Sequence, residues 1–144
     1  MLEHLSRQDA EVFLRETHRV LMPGGVVRLA VPDLERKTRN YLKRVELARA
    51  NSLSVLPADE FMRTTLLGLE RRRALCRPVD IYRALFAREG HAWMWDAPSL
   101  IAVLHKIGFS QVWQRGFCES LIPEVKLLDV ESRREESIYI EAQK

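Results

Sequence analysis

Staples and membrane spans are the first things this chain lacks. Its two cysteines, Cys76 and Cys118, form no C-x-x-C pair and no Cys/His cluster. That excludes a disulfide framework and a thiolate metal site, and leaves two reduced thiols of a cytoplasmic protein as the reading. No apolar run approaches the ~20 residues that a membrane span needs. The opening M-L-E-H-L-S-R-Q-D-A-E-V-F lacks the basic-then-apolar pattern of an export signal, so neither export nor a membrane partner is expected. Glycine is scarce, at 6 residues, and Gly24-Gly25 is the only adjacent pair. No histidine and carboxylate group has metal-ligand spacing, so no metal is expected. There is no internal repeat and no low-complexity tract.

What remains is ordinary soluble composition, 47% apolar and 30% charged over 144 residues, enough for one domain with a core. The net charge of +3 is unevenly placed. Residues 35–89 hold 13 Lys/Arg against 7 Asp/Glu, a local +6, so the rest of the chain carries −3. This basic segment has little aromatic interleaving and no nucleic-acid motif, so its charges read as solvated helix faces and no nucleic-acid partner is expected.

Periodicity sets the order of elements. Residues 6–21 read as a helix: Ser6 can cap it, and Ala10, Phe13, Leu14, Thr17, Val20 and Leu21 share one stripe. Pro23-Gly24-Gly25 stops it. The run V-V-R-L-A-V over residues 26–31 then reads as a strand buried on both faces, ended by Pro32-Asp33. Residues 35–90 read as a helical insertion of two or three helices, broken near Asn51-Ser52, Pro57 and Pro78. After G-H-A-W-M-W-D, a helix is expected over 97–107, capped by Asp96 and closed by Gly108. Two further strands are expected over 110–117 and 137–142. In the last, Ile138, Ile140 and Ala142 alternate with Tyr139 and Glu141, which predicts unequal faces.

Three runs taken together carry a resemblance: L-E-H-L at residues 2–5, R-V-L-M-P-G-G-V-V-R-L-A-V-P-D-L at 19–34, and the stretch from Asp96 through Gly108-Phe109 to Glu119-Ser120. In this order they resemble the trailing part of class I S-adenosylmethionine-dependent methyltransferases. The resemblance implies an α/β fold. It would be a partial Rossmann-like sheet with strands equivalent to the fifth, sixth and seventh, the last running antiparallel, and with the insertion between two sheet elements. The whole of 1–144 is then one truncated, methyltransferase-like domain. The family's opening strand, its glycine-rich turn and the acidic residue that holds the cofactor ribose are missing from this sequence. The expectation is therefore a transferase portion that binds S-adenosylmethionine weakly or not at all alone, and that is completed by an amino-terminal half.

In open α/β sheets ligands bind beyond the carboxyl ends of the strands. The resemblance brings His4, Asp33, His91 with Trp93, and Glu119 with Ser120 to that edge. It implies His4 and Asp33 as catalytic residues, with His4 also beside the cofactor, and His91, Trp93, Glu119 and Ser120 as residues for a small-molecule or sugar acceptor. Each has a structural alternative: His4 as a helix cap, Asp33 as a strand terminator, Trp93 as a core contact, Glu119 and Ser120 as loop residues. His18 and His105 read as surface positions within helices. A second functional reading is a non-catalytic binding module that self-associates, as a homodimer, through the sheet edge left open.

Overall fold

The computed structural model describes residues 1–50, 56–67 and 90–144. Among these it is a mixed α/β fold with one three-stranded sheet and four α-helices. A short 3-10 turn, Leu2–His4, leads into α1 (Arg7–Val20), β1 (Val26–Pro32), α2 (Leu34–Arg49), α3 (Pro57–Thr65), α4 (Ala97–Ile107), β2 (Gln111–Arg115) and β3 (Ser137–Gln143). The break expected near Asn51-Ser52 lies outside the described residues, between Arg49 and Pro57, and so does the one at Pro78.

Local chemistry sets the ends of these elements. Ser6 Oγ accepts from Asp9 N at 3.1 Å and starts α1. Asp96 Oδ1 accepts from Ser99 N at 2.7 Å and starts α4, each filling a donor that a helix start leaves orphaned. At the far end of α4, Gly108 turns left-handed at φ 115°, and Phe109 folds back into the core. Gly25 enters β1 where an added Cβ would meet Met22 O at 2.9 Å, so the Pro-Gly-Gly turn is a steric requirement.

β3 lies between β1 and β2 and runs antiparallel to both, so β1 and β2 point the same way. Leu29, Val31, Ile138, Ile140 and Ala142 share one face and pack on Ala10 and Leu14 of α1 and on Leu100, Val103 and Leu104 of α4. A side chain of this size buried from water contributes about 1.5–3 kcal/mol, so this layer holds the fold together.

Two expectations need correction. β1 is less buried than expected: only Leu29 and Val31, on the helix-packed face, are buried, while its other face carries the Arg28 side chain under the segment after β2. In β3 the opposite holds, since Tyr139 and Glu141 are buried as well as the apolar set. Their face carries Arg28 beside Glu141, and the segment after β2 folds over it, so a strand patterned as half-solvated is covered on both sides.

Candidate functional site at the carboxyl end of β1

Three segments meet where β1 ends. The backbone amides of Ala92 and Trp93 both donate to Glu3 O, at 2.8 and 3.2 Å. Asp33 and Trp95 form a parallel bridge, and Leu34 N donates to Trp95 O at 3.0 Å. The opening turn, the start of α2 and residues 90–96 are thus tied by main-chain bonds, which position side chains more firmly than surface contacts do. Trp95 anchors the junction from below, buried, with the Arg7 guanidinium 4.9 Å from its ring centre.

Of the expected site residues, His4, Asp33, His91 and Trp93 come to this rim. His4 Nδ1 lies 3.2 Å from Gly90 O, and its ring meets that of His91 edge-on at 5.1 Å. His91 N donates to Leu66 O at 3.1 Å. Asp33 serves as the cap of α2, its Oδ1 accepting from Arg36 N at 3.0 Å. Trp93 stands 42% exposed beside Trp95.

Glu119 and Ser120 are not joined to this group by any contact among the described residues. Glu119 Oε2 accepts from Gly116 N at 2.9 Å. The Ser120 hydroxyl donates to Glu141 Oε1 and accepts from Ile122 N. Both belong to a network on the sheet face away from α1 and α4. There Arg28 bonds Asp129 Oδ2 at 2.7 Å, Glu141 Oε1 at 3.0 Å and the Gly116 and Glu119 carbonyls. The register explains this: Ser120 reaches back to the middle of β3, where Glu141 pairs with Arg28 and Trp113.

Glu3 is the residue that sequence reasoning passed over. It was visible in L-E-H-L, but an acidic residue beside a histidine carries no sign of being buried, and Glu3 is only 3% exposed. Burial pushes its carboxyl up, yet bonding to the Met1 amino group at 2.7 Å and to its own backbone outweighs this and holds it below the usual value. His91 shifts down, chiefly because burial disfavours the imidazolium. Its Nδ1 is buried without a hydrogen-bond partner.

Glu3 and His91 line a cavity of about 180 Å³ together with Lys37, Thr64, Arg133 and Glu136. Lys37, Thr64 and Glu136 also line a second, open cavity of about 450 Å³ between α2 and α3. Tyr41 and Phe61, both in its lining, pack against each other with ring centres 5.2 Å apart. Glu3 and His91 of the rim thus line a cavity that adjoins a groove of mixed charge, large enough for a small polar molecule.

No family model, curated protein or solved structure matches the chain. No helix among the described residues is long and apolar enough to cross a membrane.

Proposed function

We propose that this chain is the trailing part of a class I S-adenosylmethionine-dependent methyltransferase acting on a small-molecule or sugar acceptor. The observation that carries the reading is the strand direction. The last strand in sequence runs antiparallel to two strands that point the same way, as the resemblance implies for its seventh strand. The meeting of His4, Asp33 and His91 at the carboxyl end of β1 supports it further, since ligands of open α/β sheets bind there.

On this reading the cofactor supplies an electrophilic methyl group. The chain's own residues orient the acceptor and accept its proton. A half-exposed His4, with side-chain exposure of 38%, is the group placed to take that proton, because histidine exchanges protons near neutral pH. The groove between α2 and α3 is where the acceptor would lie, and Trp93, 42% exposed at the rim, is a further candidate contact. Most of the rate would come from alignment and exclusion of water, which requires the glycine-rich half absent from this sequence.

Two calorimetric titrations with S-adenosylmethionine test the proposal. The chain alone is expected to show no micromolar binding. A fusion to the glycine-rich half of a class I enzyme is expected to bind, and to lose binding on His4→Ala. A fusion that folds and binds nothing would overturn it.

The second reading, a self-associating module, is favoured by the outer edge of β1, which pairs with no strand among the described residues. Such edges invite pairing with another chain. Sedimentation velocity over a range of concentrations distinguishes it, since a monomer throughout excludes this reading.

A further inference from the structure

We propose that Glu3, His4 and His91 form a binding site for a divalent transition-metal ion, with Zn²⁺ as the best fit. One ligand atom from each of the three lies within 4.8 Å of the others. Tetrahedral zinc with bonds of about 2.0–2.1 Å to nitrogen and oxygen needs those atoms about 3.3 Å apart. The ligand atoms would therefore have to draw together by up to about 1.5 Å. The backbones that carry the ligands are already pinned, with Ala92 and Trp93 both bonded to Glu3 O.

The surroundings of His4 have the pattern of a metal site, and His91 holds a buried ring nitrogen open. A ligating histidine holds its remaining ring nitrogen on a carbonyl or carboxylate, and this fixes the tautomer and aims the free lone pair. His91 contributes a buried Nδ1 with no hydrogen-bond partner. His4 Nδ1 sits at Gly90 O, 3.2 Å away, and its Nε2 faces Glu3 Oε1 at 3.8 Å. Glu3 is bound on one oxygen by the Met1 amino group, leaving Oε1 on the histidine side. Two imidazoles and one carboxylate are a ligand set that zinc takes in sites keeping a fourth position open.

The fourth position would face the 180 Å³ cavity. Its lining carries two carboxylates, Glu3 and Glu136, against two cations, Lys37 and Arg133. The Met1 amino group on Glu3 Oε2 adds a third positive charge beside them, so an ion would have to outcompete it for the carboxylate. Lys37 and Arg133 suit an anionic or hydroxyl-bearing co-ligand on the metal.

This inference does not depend on the methyl-transfer reading. A cation on His4 Nε2 would take that nitrogen out of proton transfer, so the two roles are alternatives and can fail separately. The direct test is a Co²⁺ titration of the full chain without an affinity tag, followed by visible ligand-field absorption, with Zn²⁺ as competitor. We expect one ion per chain, bound in the range of about 1 µM to 1 mM, and displaced by Zn²⁺. His91→Ala and Glu3→Gln should weaken binding by at least about tenfold, whereas a His18→Ala/His105→Ala double variant should bind as before. If either buried variant misfolds by circular dichroism, the half-exposed His4→Gln carries the same tenfold expectation and decides the matter. Binding weaker than about 1 mM, or binding lost in the His18/His105 variant and kept in the others, would overturn the site.

Discussion

Arg28 and Glu141 stand directly opposite each other on β1 and β3 and form an ion pair 3.0 Å long, with the carboxylate fully buried. The same guanidinium holds Asp129 and two backbone carbonyls of the covering segment. A buried pair of this kind is weak evidence for added stability, but removing one partner strands the others in a low dielectric. Arg28→Met is therefore expected to cost about 3–5 kcal/mol, read as a fall in the urea midpoint with little change in slope. A loss under about 1 kcal/mol would mean that water reaches this face.

The same network predicts an acid limb. Burial alone would raise the Glu141 and Asp129 carboxyls. Bonds from Ser120, the Leu121 and Cys118 amides and Arg28 instead hold both below their ordinary values. A folded value below the unfolded one means that the unfolded chain binds more protons in between, so stability rises with pH there. It should be complete above the unfolded carboxylate range, near about pH 4, and fall as pH drops through the lowered values. Urea midpoints measured from about pH 6 to about pH 2 check this. Glu141→Gln should flatten the limb relative to the parent protein.

His91 adds a second window at higher pH. Its value is depressed, mainly by burial, from an ordinary 6.5. The unfolded chain therefore takes up its proton first as pH falls. The associated stability is present above about 6.5 and is lost as pH drops toward the folded value. Melting temperatures at about pH 7.5 and about pH 5.5 should differ in the parent protein, and His91→Gln should shrink the difference. An unchanged difference would show that the ring titrates in open solvent.

Much of the scaffold was legible because its signals are local. Ser6, Asp96 and Gly108 mark helix ends through their own side chains or lack of one, and valine density marks β1. Which strand pairs with which is not a local property. The resemblance implied that β3 runs antiparallel but not its central place, and the burial of Tyr139 and Glu141 depended on a covering segment with no periodicity of its own. At the site, His4 and His91 could be brought to one rim by topology. Glu3 could not be singled out, because its burial is set by the returning backbone of Ala92 and Trp93. Ser120 was misdirected for a related reason: the chain after β2 turns back across the sheet instead of continuing outward.

Gly108 offers a test of one such local signal. It adopts φ 115° at the end of α4, and a Cβ added there would meet only the His18 ring, at an ordinary contact distance of 3.7 Å. The penalty for a side chain there is conformational and not a clash. Gly108→Ala should destabilise by about 1–2 kcal/mol, the cost of holding an L-residue in the left-handed region. Thermal unfolding of the single variant measures it, and no change would mean that the helix end relaxes freely.

Trp93 and Trp95 are two residues apart and should behave in opposite ways. Trp95 is 1% exposed and packs in the main core, whereas Trp93 is 42% exposed at the rim. Truncating a buried tryptophan costs about 3–5 kcal/mol, while surface changes usually stay within about 0.5 kcal/mol. Trp95→Ala should therefore unfold much of the population at moderate urea, and Trp93→Ala should leave the midpoint in place. If the rim receives an acceptor, Trp93→Ala should also weaken acceptor binding in a cofactor-competent fusion without loss of fold. A Trp93→Ala protein as unstable as Trp95→Ala would make the indole a structural part of the junction and remove it from the acceptor groove.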